Sequence, residues 1–107
     1  MALYMYKVAY SAEAWAAMVK NPQNRIEAVT PAIERAGGKI IGAWMAFGEY
    51  DLYAVAEMPG NIEASALAVA FTAGGALRSL ETVPLLSVED GVEVMRQAGG
   101  STYKPPA

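Results

Sequence analysis

The chain has 107 residues, 54% of them hydrophobic and 18% charged, with a net charge of −3, no cysteine and no histidine. Its length fits one domain, which buries roughly two-thirds of its unfolded surface, and its charged fraction lies below the about 25% of an ordinary soluble domain. Thiol nucleophiles, His-based triads, histidine-ligated haem and most transition-metal sites are excluded by composition. The eight basic residues, scattered from Lys7 to Lys104, offer no stripe for nucleic acid.

Ala2–Tyr10 reads as a first strand, with Tyr4, Tyr6, Val8 and Tyr10 on one face and Leu3, Met5, Lys7 and Ala9 on the other. Ser11 is a good N-cap for a helix that carries Trp15, Met18 and Val19 at helical spacing. Asn21-Pro22 is expected to break this helix and restart it, with the proline in the first turn. The second helical segment presents Ile26, Val29 and Ile33 and ends at Gly37-Gly38; Pro31 inside it should produce a kink.

Two strands, Lys39 to Phe47 and Leu52 to Met58, flank the tetrapeptide Gly48-Glu49-Tyr50-Asp51. So short a connection predicts a β-hairpin, with Gly48 supplying the permissive backbone. In the first of these strands the alternation sets Ile40 and Trp44 against Ile41, Met45 and Phe47. In the second, Asp51, Tyr53 and Glu57 oppose Leu52, Ala54, Ala56 and Met58.

Pro59-Gly60 and an Asn61 N-cap precede a third helix, Ile62–Ala73, whose many alanines imply close packing; Gly74-Gly75 stops it. Leu77–Leu85 is a fourth strand, and Pro84 marks it as an edge or a bulge. Ser87-Val88-Glu89-Asp90 opens a final helix through Gln97, so the domain is expected to span residues 1–98, with 99–107 as a polar tail.

The order β-α-β-β-α-β plus a C-terminal helix is the α+β, ferredoxin-like split β-α-β arrangement, an antiparallel sheet with helices on one face. The strands are apolar on both faces, so a second sheet is expected to cover the bare one, giving a homodimer packed sheet to sheet. The longest apolar run, Ala64–Phe71, is far below the about 20 residues of a membrane span. The start of the chain has no basic segment or cleavage site, so export is not expected and the cytoplasm is the default location.

Gly37-Gly38-Lys39, Phe47-Gly48-Glu49-Tyr50-Asp51, Ala73-Gly74-Gly75, Leu77-Arg78 and Ser87-Val88-Glu89-Asp90 together resemble the GYD domain family over nearly the whole chain. The resemblance implies a dimeric α/β-barrel fold and a bacterial or archaeal origin, and it carries no reaction with it.

Chemistry must rest on carboxylates, tyrosine, tryptophan, lysine and arginine. Tyr50 and Asp51 could orient a ligand or supply a base; the commoner role for such an aspartate is to accept turn N–H bonds. Tyr4, Tyr6, Trp44 and Tyr53 could wall a flat pocket for an aromatic or quinone-like molecule, or simply fill core and interface. Arg78 could bind an anion or form a salt bridge at the sheet end. Asp51 and Glu57 lie roughly 20 Å apart along a strand, too far to act as a carboxylate pair.

No metal site, phosphate loop or cofactor motif is present in the sequence. Three functions stay open: a homodimeric small-molecule-binding or regulatory domain, a cofactor-free monooxygenase or small isomerase acting on an aromatic or quinone-like substrate, and a structural assembly module. The enzyme reading needs Trp44, Tyr50, Asp51 or Arg78 to converge on one cavity.

Overall fold

A computed structural model describes residues 1–107. The elements are β1 (Ala2–Tyr10), α1 (Ala12–Lys20), α2 (Arg25–Arg35), β2 (Lys39–Met45), β3 (Leu52–Met58), α3 (Asn61–Ala73), β4 (Leu77–Leu85) and α4 (Val88–Gly99). Four strands form one sheet in the order β2-β3-β1-β4, and every neighbouring pair is antiparallel. This α+β arrangement is compatible with the ferredoxin-like split β-α-β. β4 is an edge strand, which explains how it tolerates Pro84.

The alternation along β1 decides which face is which. Tyr4 donates its hydroxyl to Asn61 Oδ1, and Tyr6 donates its own to the Ala64 carbonyl at 3.0 Å, so the even-numbered residues face α3. They join Ala56 and Met58 of β3, Ile33 of α2, and Ala64 and Leu67 of α3 in the buried core. The odd-numbered residues face away. There Val55, Met5 and Val83 form a row across three strands, with Leu3 and Leu85 beside it. These side chains are half-buried by one another.

Local rules explain several boundaries. Ser11 Oγ accepts from the Ala14 amide and Ser87 Oγ from the Asp90 amide, capping α1 and α4. At the end of α2 the Gly38 amide reaches the Ile33 carbonyl and the Gly37 amide reaches the Glu34 carbonyl, the paired bonds of a Schellman motif. Gly37 is left-handed, with φ of 88°. Gly38 is required for space, since a Cβ would lie 2.4 Å from Met58 Sδ and 2.7 Å from the Glu57 carbonyl oxygen.

Other expectations are corrected. β2 ends at Met45, and the Ala46 amide bonds the Asp51 carbonyl, so the connection is longer than four residues. Phe47 leaves the strand and is fully exposed, because nothing in the chain packs against it. Gly48 is not left-handed. A register shift between Ile40 and Gly42 returns Ala43 and Met45 to the helix side with Ile40, opposite Ala54 and Leu52. Trp44 therefore lies on the opposite face from Ile40, beside Tyr53.

α2 starts at Arg25 behind an Asn24 cap, which leaves Pro22 in the linker rather than in a first turn. The same helix runs on through Pro31, with the Thr30 hydroxyl donating to the Ile26 carbonyl in the turn that the proline weakens. Asn61 does not cap α3; its side chain accepts from Tyr4 instead. The alanines of α3 are only partly packed, for Ala64 is buried while Ala66 and Ala70 are exposed. α4 extends through Gly99, two residues beyond expectation.

Two predictions follow from these packing features and are checked by urea titration. Gly38→Ala is expected to destabilise by about 1–3 kcal/mol, the usual cost of overpacking against a rigid neighbour. Gly48→Ala, with open space at its Cβ, is expected to be neutral or to stabilise by less than about 1 kcal/mol.

A further prediction concerns alkaline pH. Burial first, then the neighbouring Tyr4, pushes the Tyr6 hydroxyl up to about 12 from its ordinary value of 10.0. Between these values the folded chain holds more protons than the unfolded one, so stability is full below pH 10 and falls as pH rises toward 12. Tyr6→Phe should make that decline shallower, and at neutral pH it should cost about 1 kcal/mol for the lost bond to Ala64.

Candidate functional site

The β2–β3 corner sends its phenol and its carboxylate in different directions. Tyr50 is buried and donates its hydroxyl to Glu81 Oε2 at 2.8 Å. Lys7 Nζ lies 3.6 Å from the same carboxylate and 4.7 Å from the Tyr50 ring centroid, and Tyr53 meets that ring edge-on at 6.2 Å. The bond to the Glu81 carboxylate, helped by burial, raises the Tyr50 hydroxyl above its usual range. These groups occupy the bare sheet face, next to Trp44, whose indole folds over Gly42 into the space a Cβ would take.

Asp51 points toward the helices. Its Oδ2 accepts from the Tyr10 amide at 2.9 Å and from the Trp15 indole at 3.3 Å, while its own amide donates to the Val8 carbonyl at 2.7 Å. The carboxylate thereby pins β3, the end of β1 and α1 together. Trp15 stands edge-on to Tyr10 with ring centroids 5.4 Å apart. Arg78 donates to the Glu49 carbonyl at 3.1 Å and braces the loop from β4.

A cavity of about 400 Å³ lies between the sheet and helices α1, α2 and α3. It is bounded by Tyr6 and Ala54 from the sheet, and the small side chains of Ala14 and Ala17 of α1 and Ala70 of α3 are among those that line it. A second space of about 660 Å³ runs between α1 and edge strand β2, with Trp44 and Trp15 on its walls. Tyr10, Met18, Gln23, Arg25, Ile26 and Leu52 border both, so the two are lobes of one cleft. The cleft is apolar with a few polar groups at the junction of its lobes, the usual constitution of a small-molecule site.

Tyr10, Gln23 and Arg25 supply those polar groups. The Arg25 Nη1 donates to Gln23 Oε1 at 2.7 Å, which holds the guanidinium near the cleft. Burial raises the Tyr10 hydroxyl above its ordinary value, Arg25 opposes this, and Asp51 adds to it. Arg25 is also the first residue of α2, where the helix dipole favours an anion.

The expected site residues therefore separate. Tyr50, Tyr53 and Trp44 gather on the bare sheet face, Arg78 braces the loop, Tyr6 walls the cleft and Asp51 serves as a brace behind Tyr10. Tyr6 lines the inner lobe, and Trp44 borders the outer lobe only where edge strand β2 passes, its indole lying over Gly42 on the bare face; Tyr50, Asp51 and Arg78 border neither. Sequence reasoning passed over Tyr10, Gln23 and Arg25. The available signal was Arg25 as the one cation between Lys20 and Arg35, set just past a helix break. No group of three carboxylate, histidine or cysteine residues stands together to hold a metal ion, and no helix is long and apolar enough to cross a membrane.

A family model described as GYD domain matches residues 4–95. No curated protein and no solved structure matches the chain.

The role of Asp51 is tested by substitution. Asp51→Ala leaves the Tyr10 amide and the Trp15 indole without their acceptor, and is expected to destabilise by about 2–3 kcal/mol, as loss of bonds to a charged group does. Asp51→Asn keeps one oxygen acceptor and should recover part of that loss. Urea denaturation followed by tryptophan fluorescence distinguishes the two variants.

Proposed function

The chain belongs to the GYD domain family, and from that premise we propose a homodimeric protein that binds a small ring-bearing molecule in the cleft between its helices and its sheet. The observation that carries the binding reading is the two-lobed cleft, apolar along its walls and polar only around Tyr10, Gln23 and Arg25. Its preferred ligand has a flat apolar body and an anionic or hydrogen-bond-accepting group that meets Arg25. Aromatic carboxylates fit that description.

The dimer reading rests on exposed area. A folded chain of 11.3 kDa should expose about 5,700 Å², whereas this one exposes 7494 Å². Its radius of gyration, 17.1 Å, likewise exceeds the about 13 Å of a compact domain of this length. Packing two copies through the row Val55, Met5 and Val83 gives the apolar surplus a place to go, and would make the pair a dimeric α/β barrel. Binding is preferred over cofactor-free oxygenation or isomerisation because Tyr50, Asp51 and Arg78 lie off the cleft.

Thermal-shift measurements with 2-naphthoate, 2-naphthol and menadione test the binding reading. 2-Naphthoate is expected to stabilise the protein most, by roughly 2.7 kcal/mol at a hundredfold excess over its Kd. Arg25→Gln should remove the preference for naphthoate over naphthol, and Ala14→Leu, which fills the inner lobe, should abolish the shift. The reading is overturned if no probe raises the melting temperature, or if Ala14→Leu responds as the wild type does.

A further inference from the structure

α4 buries no residue. α1 buries none either, but Trp15 anchors it against Tyr10 and Asp51. The side-chain bonds of α4 stay within the helix and its cap, from Ser87 to Asp90 and from Glu93 to Arg96 and Gln97. Yet its sequence is amphipathic. Val88, Val92 and Met95 share one stripe at i, i+4 and i+7, and their exposures are 84%, 42% and 72%. Glu89, Glu93 and Arg96 run along one flank of that stripe.

A lone helix of 12 residues is marginal in water and draws its stability from packing an apolar face. α4 finds no burial on its own body, although only Leu86 and Ser87 separate it from β4. We propose that α4 is an exchanged arm whose Val88–Val92–Met95 stripe packs on a second copy of the chain. This inference rests on the homodimer reading above.

Two observations favour a second copy as the occupant. The apolar surface is continuous, because Leu85 ends the bare face of the sheet, Leu86 is 68% exposed, and Val88 opens the stripe. The area also fits. A standard interface takes about 800 Å² from each partner, and the surplus of this chain over a compact monomer is about twice that, enough for a sheet face and an arm together.

Isotope-filtered NMR on a mixture of methyl-labelled and unlabelled chains tests the arm directly, with sedimentation equilibrium on Val92→Glu/Met95→Glu and on Val83→Glu. The expected result is contact between the Met95 methyl of one copy and protons of the other, and a dimer Kd raised at least tenfold in the double variant. A dimer without such contact, whose Kd the double variant leaves unchanged, overturns the arm and leaves the sheet-face reading intact. That reading is challenged separately if Val83→Glu has no effect, and a monomer in the wild type overturns both.

Discussion

The sheet has apolar side chains on both faces and helices for only one of them, and the rest of the structure answers to that imbalance. On the covered side, Tyr4 and Tyr6 reach α3 with their hydroxyls, so large aromatic rings can be buried without stranding a polar atom. On the bare side the same strands offer Met5, Val55 and Val83 in a row. A chain of this size has no further element for that row, since α4 buries no residue. The proposed second copy is the economical solution, and it gives α4 a surface as well.

The β2–β3 corner sits where these two faces meet. Tyr50 turns to the bare face and joins Lys7 and Glu81, a small polar cluster within an apolar surface. At a sheet-to-sheet contact such a cluster would fix register more than it would add affinity. Asp51 turns to the other side and ties three elements through its carboxylate and its amide. Adjacent residues thus brace opposite faces, and neither lines the cleft. The polar groups that do border it come from Tyr10, Gln23 and Arg25, on the segments that surround α1.

Element order was legible in the sequence because strand alternation, serine caps and glycine stops are local signals, and the sheet order follows from the split β-α-β topology. Register was less so. The bulge at Ile40–Gly42 moves Trp44 to the other face from Ile40, and nothing in an alternating pattern announces an extra residue. Gly48 and Asn61 misled for a related reason. Each residue type suits a turn or a cap, but the backbone at position 48 needs no left-handed conformation, and the Asn61 side chain is taken by a tyrosine 57 residues away in sequence.

The cleft was illegible for another reason. A cavity is a deficit of volume shared among segments distant in sequence, here Ala14 and Ala17, Ala54, and Ala70. Alanine in a helix reads first as propensity, and only the assembled layers show that it leaves space. Arg25 likewise has meaning only once the linker after α1 brings it beside Tyr10.

The central claim is that this fold is completed by a second copy on the bare sheet face. Multi-angle light scattering over a micromolar concentration series tests it most directly. The account predicts a mass twice the 11.3 kDa of one chain. A mass of one chain throughout that range would contradict it.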